Sequence, residues 1–356
     1  MIFSELSYLS WEVGLDGLNK GTLSSLWDIM KDQKYTRPVY VDKDRQLFET
    51  VAHCRRFENA VVNHFIRDTD AGINKQFSAV TFDLDNHSRF IAFRGTDGSI
   101  VGWKEDFNMA FSAPIPAQQQ AIEYLTLLAG EDDCELYVGG HSKGGNLAVY
   151  AASFVDDTIF TRINRVYNYD GPGLSDQVNA EKAYQRLGAK ACTILPKASM
   201  IGMLLFQNKD FTIVESDAIS IMQHSPFYWH VLGNQFVRGI RSQDSEAMEK
   251  ILHAWLQNTT DDERQVLIDV FFDVVQATGA KSFNRFIVFK LFQSPEIVLK
   301  CLQNIDPSKR KMVRKRLSDL MIIIMRESTI AEQQMLKSVF TRKEDNLGIS
   351  NPTDKG

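Results

Sequence analysis

Apolar residues in the first part of the chain recur at helical spacing. Leu6, Leu9, Val13 and Leu15, then Leu23, Leu26, Trp27 and Met30, fall at helical intervals, with Gly14, Gly17 and Gly21 as breaks. The pattern predicts a mostly helical lead-in over about the first 70 residues. From Gln76 the period falls to two. Residues 77–84 and 89–94 read as strands joined by a turn at Asp85-Asn86-His87-Ser88. Short runs rich in β-formers follow at 136–138, 166–169, 192–195 and 211–214, with helical spacing between them at 117–129, 146–154 and 175–187. Strand alternating with helix requires crossover connections, so the expected class is α/β, a mostly parallel sheet with helices on both faces.

Beyond about Val237 the strand signals thin out. Helical spacing takes over at 246–256, 261–277, 282–292, 295–303 and 307–325. The expected organisation is a sheet domain with its lead-in over 1–236, a helical C-terminal region over 237–342, and a flexible tail over 343–356.

Composition narrows the function classes. With 44% apolar and 24% charged residues in 356, the chain has the make-up of an ordinary globular protein rather than a disordered or fibrous one. A net charge of −5 gives no global reason to expect nucleic-acid binding. Cys54, Cys134, Cys192 and Cys301 form no C-x-x-C pair, which points to reduced thiols in a cytoplasm. Glu5 interrupts the N-terminus where a secretory signal would carry basic residues, and no apolar run is long enough for a membrane span. His53, Cys54 and His64 lack a zinc-ligand spacing, so neither metal nor cofactor is expected. A basic run, Lys309 to Arg316, opens a helix whose other face is apolar; a solvated face is the expected reading, with a membrane-surface contact as the alternative.

The sharpest local signal is Gly140-His141-Ser142-Lys143-Gly144, a G-x-S-x-G pattern straight after a predicted strand and opening a helix. A serine on so tight a turn is strained, and side chains at positions 140 or 144 would collide with neighbouring backbone. The turn exposes Ser142 Oγ as a candidate nucleophile and aims the Lys143 amide at any oxyanion that forms. The alternative is a glycine-rich strand-to-helix turn without chemistry.

A second segment, Phe93-Arg94-Gly95-Thr96 followed by Trp103 and Asp106, completes a resemblance. The chain resembles the class 3 lipases, α/β-hydrolases marked by F-R-G-S/T, W-x-x-D and G-H-S-x-G-G, over roughly residues 77–229. It is most similar to a bacterial branch with Gly-His-Ser-Lys-Gly-Gly-Asn and a helical C-terminal extension. The resemblance implies an α/β-hydrolase fold, a second oxyanion donor at Thr96, and a lid over 98–116 with Trp103, Phe107, Met109 and Phe111 on its apolar face. Core packing is an equal alternative for those side chains. Lys143 replaces an apolar residue usual in that family; its side chain is expected to point to solvent, with recognition of an acidic substrate as the alternative.

In this fold the base follows the nucleophile in the chain, which leaves His224, His230 and His253. His224, in a loop just after the last strand, is the expected base. The acid is open. Ser199 stands where class 3 lipases carry aspartate; Asp170, at the end of the preceding strand, is the first candidate, with Asp210, Asp217 or no acid at all as alternatives. Asp170-Gly171 also reads as an ordinary turn. Met200 to Phe206 is either an apolar acyl-pocket lining or a core helix. The expected function is hydrolysis of a carboxylic ester, with an ester or lipid-like small molecule as substrate. A catalytically weak binding or regulatory protein on the same fold is the competing reading.

Overall fold

Alternating side chains sort the central strands into two faces, and each face has its own core. Phe77, Ala79, Ile91 and Phe93 point into one; Val80, Phe82, Phe90 and Ala92 point into the other. The computed structural model describes residues 1–32, 41–84, 87–109, 112–208, 210–277, 303 and 305–327. Among these an eight-stranded sheet runs in chain order: β1 (Lys20–Thr22), β2 (Val61–Asp70), β3 (Lys75–Leu84), β4 (Ser88–Phe93), β5 (Glu135–His141), β6 (Ile163–Tyr169), β7 (Ala191–Pro196) and β8 (Phe211–Val214). Pairing is antiparallel from β1 to β4 and parallel from β4 to β8. A separate hairpin joins β9 (Val231–Leu232) to β10 (Gln235–Phe236).

The helices divide between the two faces by origin. The lead-in supplies α1 (Ile2–Leu6), α2 (Trp11–Gly14), α3 (Leu23–Met30) and α4 (Val41–Ala52), whose Phe3, Leu6, Trp11, Leu26 and Phe48 cover Val62, Phe82 and Phe90. After α5 (Ile100–Asn108), the crossovers carry α6 (Pro116–Ala129), α7 (Lys143–Phe154), α8 (Asp157–Arg162) and α9 (Ala180–Leu187). Leu125, Leu147 and Leu187 from this set pack with Ile91, Val138 and Val166 on the opposite face. Right-handed crossovers that always step toward the same edge deliver their helices to the same face. The lead-in is therefore the second layer of the fold, and Trp11, Phe48 and Phe82, all fully buried, contribute about 1.5–3 kcal/mol each by leaving water.

β1 and β2 correct the reading of the first 70 residues as mostly helical. In β2 the register slips between Asn63 and Ile66, and His64 takes φ 48°. Such a bulge buries Val62 and Asn63 side by side and erases the period-two signal. The C-terminal region follows the helical expectation over α10 (Gln243–Gln257), α11 (Asp261–Ala277) and α12 (Pro307–Glu327). α12 packs on α10 and α11, and Arg316 donates to Glu263 at 2.7 Å. The helices predicted over 282–292 and 295–303, residue 303 apart, and the tail over 343–356 lie outside the described residues. Among those described, no helix is long and apolar enough to cross a membrane.

Candidate active site

β5 runs into α7 through Ser142, which takes φ 60° and ψ −134°. A conformation so rare for a residue with a side chain costs about 1–3 kcal/mol and persists only where its surroundings enforce it. The enforcement is visible: the Ser142 amide donates to the Tyr169 oxygen at 3.0 Å, and the Gly145 amide to the Ser142 oxygen at 2.9 Å. A Cβ at position 140 would lie 2.2 Å from the Gly144 carbonyl carbon, and one at 144 would lie 2.1 Å from the Phe93 oxygen. Only glycine lets β4, β5 and α7 approach this closely, so the spacing of the motif follows from the turn. Ser142 stays partly exposed while His141 and Lys143 on either side are buried.

The Lys143 side chain does not point to solvent, as expected from sequence, nor is it free to meet an acidic substrate. Its Nζ is buried beneath the turn and donates to the main-chain oxygen and Oε1 of Gln76, both at 2.8 Å, and to Glu105 Oε2 at 2.9 Å. Glu105, also fully buried, accepts from the Gln76 amide at 2.9 Å and, through its other oxygen, from the Ala117 amide in the first turn of α6 at 3.0 Å. An ion pair in the interior is tolerated when its charged atoms are hydrogen-bonded in this way. Beside it Asp106 accepts from the Thr96 hydroxyl and lies 3.6 Å from Lys143. Burial pushes the Asp106 carboxyl up to about 6 against the opposing pull of Lys143 and Thr96.

α5 is fastened on its other side as well. Trp103 and Phe107 pack with Ile268, Phe271 and Phe272 of α11, and Lys104 pairs with Asp269 at 2.8 Å. Met109 is buried in the sheet core, which favours the packing alternative over a free lid; Phe111 lies outside the described residues.

The acid and base candidates meet across two loops. Asp170 ends β6 with φ 49°, and its amide is held by the Ile194 oxygen at 2.9 Å. Its buried carboxylate accepts from His224 Nδ1 at 2.7 Å on one oxygen, and from the Ser199 hydroxyl and the Gly202 amide on the other. Ser199 thus serves the aspartate and does not orient the histidine itself. His224 closes a 3-10 turn, Ser220–His224. That turn is anchored by Gln223, whose side chain accepts from the Ala198 amide and whose main chain accepts from Trp229 Nε1. The His224 ring lies 4.6 Å from that of His141, the residue preceding Ser142.

The other candidates fall elsewhere. Asp217 pairs with His230 at 2.6 Å on the surface, and Asp210 is exposed. Residues 200–206 are bends and a turn that end in a β-bridge from Phe206 to Leu174 rather than a core helix, and Gly202 within them donates to Asp170. His253 sits on α10, whose Ser245 reaches back to the Ser199 oxygen at 2.7 Å. Sequence reasoning missed Glu105, Gln76 and Glu5. An inward-facing lysine after the serine calls for a buried counter-charge, and Glu105 next to Asp106 was the nearest signal.

Comparison with known proteins gives one family match. The model of the Mbeg1-like family matches residues 51–273. No curated protein sequence matches the chain. Among solved structures the chain is similar to the Rhizomucor miehei lipase in its native propeptide complex, at 16% identity and TM-score 0.36, covering 46% of this chain and 59% of that one. It is also similar to an MDLA variant from Penicillium cyclopium, at 13% identity and TM-score 0.39 over 69% and 86% of the two chains. A third is lipase II from Rhizopus niveus, at 13% identity and TM-score 0.32 over 60% and 79%. A family match that runs from α4 into α11 and takes in well over half of the chain makes this protein a member of the Mbeg1-like family.

Proposed function

We propose that the protein is a serine hydrolase that cleaves carboxylic esters, as an esterase or lipase, through an acyl-enzyme. The observation that carries this reading is the 2.7 Å contact between His224 Nδ1 and a buried Asp170 carboxylate, with Ser142 on a strained turn one residue from the ring that packs on His224. His224 Nε2 takes the proton of Ser142 as Oγ attacks the ester carbonyl. Asp170 holds the Nδ1–H tautomer and stabilises the imidazolium. The amides of Thr96 and Lys143 receive the oxyanion; the Thr96 hydroxyl is already engaged with Asp106. The alcohol leaves with the proton from His224, and water then attacks the acyl-enzyme with His224 again as base. The scheme uses no cofactor and no metal.

The substrate proposed is an ester or lipid-like small molecule. Lys309, Lys311, Arg314 and Lys315 stand exposed on α12 and are the groups on which contact with a membrane surface would rest, whereas Arg316 is already paired with Glu263 and Asp319. Free thiols at Cys54, Cys134 and Cys192 favour a reducing compartment such as the cytoplasm. Hydrolysis of p-nitrophenyl esters from acetate to palmitate, with Ser142→Ala as the blank, tests the proposal. Turnover that disappears in Ser142→Ala supports it, and the chain-length optimum separates esterase from lipase. Turnover equal in both proteins contradicts it, and none in either moves the binding reading ahead.

A further inference from the structure

Beneath the proposed base lies a second histidine that the reaction scheme leaves unused. His141, the last residue of β5, is 3% exposed. Its Nδ1 stands 3.1 Å from Oε1 of Glu5, itself buried on α1. Its Nε2 lies 2.7 Å from the main-chain oxygen of His224, and the two rings are inclined at 35°. A carbonyl oxygen can only accept, so Nε2 carries a proton. The oxygen facing Nδ1 belongs to a carboxylate, which when ionised also only accepts. With Glu5 ionised, both nitrogens face acceptors, the arrangement that suits the doubly protonated ring.

Charged and titratable groups approach His141 from both sides. From the lead-in come Glu5 and Tyr8, whose hydroxyl is 3.4 Å from Nδ1 and donates to the His141 oxygen at 3.4 Å. The Met1 amine interacts with Glu5, and burial pushes it down to about 5 against the pull of Glu5. Arg94, beyond Tyr8, is paired with Asp97. From the other side come His224 and, behind it, Asp170. Glu5 is the carboxylate at ion-pair distance from His141, and Asp170 is committed to His224.

We propose that Glu5 holds His141 as an imidazolium, and that this buried cation is a positioning and tuning residue for His224. Its Nε2–H fixes the main chain that carries the base. Its charge opposes a second positive charge on the adjacent ring, against the pull of Asp170. The link to turnover rests on the ester-hydrolase reading; the charge state of His141 does not.

The test is ¹⁵N NMR of the imidazoles in the full chain, with the His141 signals assigned by their loss in His141→Gln. In the wild type both His141 nitrogens are expected to be protonated at pH 8. Glu5→Gln keeps the shape: its amide donates to a neutral Nδ1 while Nε2–H still meets the His224 oxygen. In that variant His141 is expected to read as neutral at pH 8, and the His224 titration is expected to move up, because the positive charge on the adjacent ring goes with the carboxylate that held it. The acid limb of kcat/KM moves by the same amount. A neutral His141 in the wild type at pH 8 overturns the proposal, and this spectrum decides the charge state even if Glu5→Gln does not fold. An unmoved His224 titration in a folded Glu5→Gln overturns the tuning role. Both titrations are read without substrate, so an inactive protein that titrates as expected would remove the hydrolase reading and leave the ion pair standing.

Discussion

Thr96, Ser142 and Lys143 are fixed from beneath by buried charge, whereas Asp170 and His224 are fixed by hydrogen bonds within neighbouring loops. In the first half, Lys143, Glu105 and Asp106 tie the nucleophile turn to α5, β3 and the start of α6. In the second, Asp170 takes its partners from Ser199, Gly202 and His224, all carried by loops that follow β7 and β8. The difference separates two kinds of sensitivity. A change in the loop half is expected to touch the proposed proton-transfer unit and spare the fold, while a change in the charged half strands a buried ion and unfolds what the candidate nucleophile stands on.

The largest effect expected is on rate, in the loop half. Asp170→Asn removes the carboxylate that selects the His224 tautomer and is expected to lower kcat by about 10⁴ with circular dichroism unchanged. An equal loss of stability would erase the contrast between the halves. Next comes Lys143→Met, which leaves Glu105 buried without its cation and is expected to cost about 3–5 kcal/mol in chemical denaturation. Glu105→Gln in the same chain should recover most of that, because the double variant no longer buries the Glu105 charge without its cation. Failure of the second substitution to rescue would show that the pair does not act as a unit.

A smaller effect carries a pH signature. Asp106 has its folded pKa raised to about 6, above its unfolded value, so the folded state holds a proton that the unfolded state has released. Stability contributed by this group is therefore full below the unfolded pKa and falls as pH rises from about 4 to about 6. Asp106→Asn does not titrate. Relative to the wild type it should gain about 1–3 kcal/mol between pH 4 and pH 6.5, read from denaturation curves at both ends. A flat difference would mean that Lys143 already neutralises Asp106 fully. The smallest change is Ser199→Ala: Gly202 still donates to Asp170, so the loss should be about 1 kcal/mol, a fall of about tenfold or less in kcat/KM.

The same contrast explains what was legible in the sequence. β3, β4, β5 and β7 each bury a run of four or more residues, and the short β-former runs of β6 and β8 stood out against the helical spacing between them. β1 has only three residues and β2 carries a bulge, so neither gave a period to read. Ser142, Asp170 and His224 could be named as candidates because turn chemistry and chain order restrict where such groups fall. Lys143 was misread because burial of a lysine depends on Glu105 and Gln76, which lie 38 and 67 positions away in the chain. Glu5 was hidden for the same reason: only folding of the lead-in across the sheet brings it to His141.

The central claim is that Ser142, His224 and Asp170 act as one unit, and a fluorophosphonate tests it most directly because the reagent needs an activated serine. Labelling followed by peptide mass analysis is predicted to modify Ser142 in the wild type, and to fall away in His224→Ala even though the serine remains. Ser142 unlabelled in the folded wild type, or labelled equally well in His224→Ala, would contradict the account.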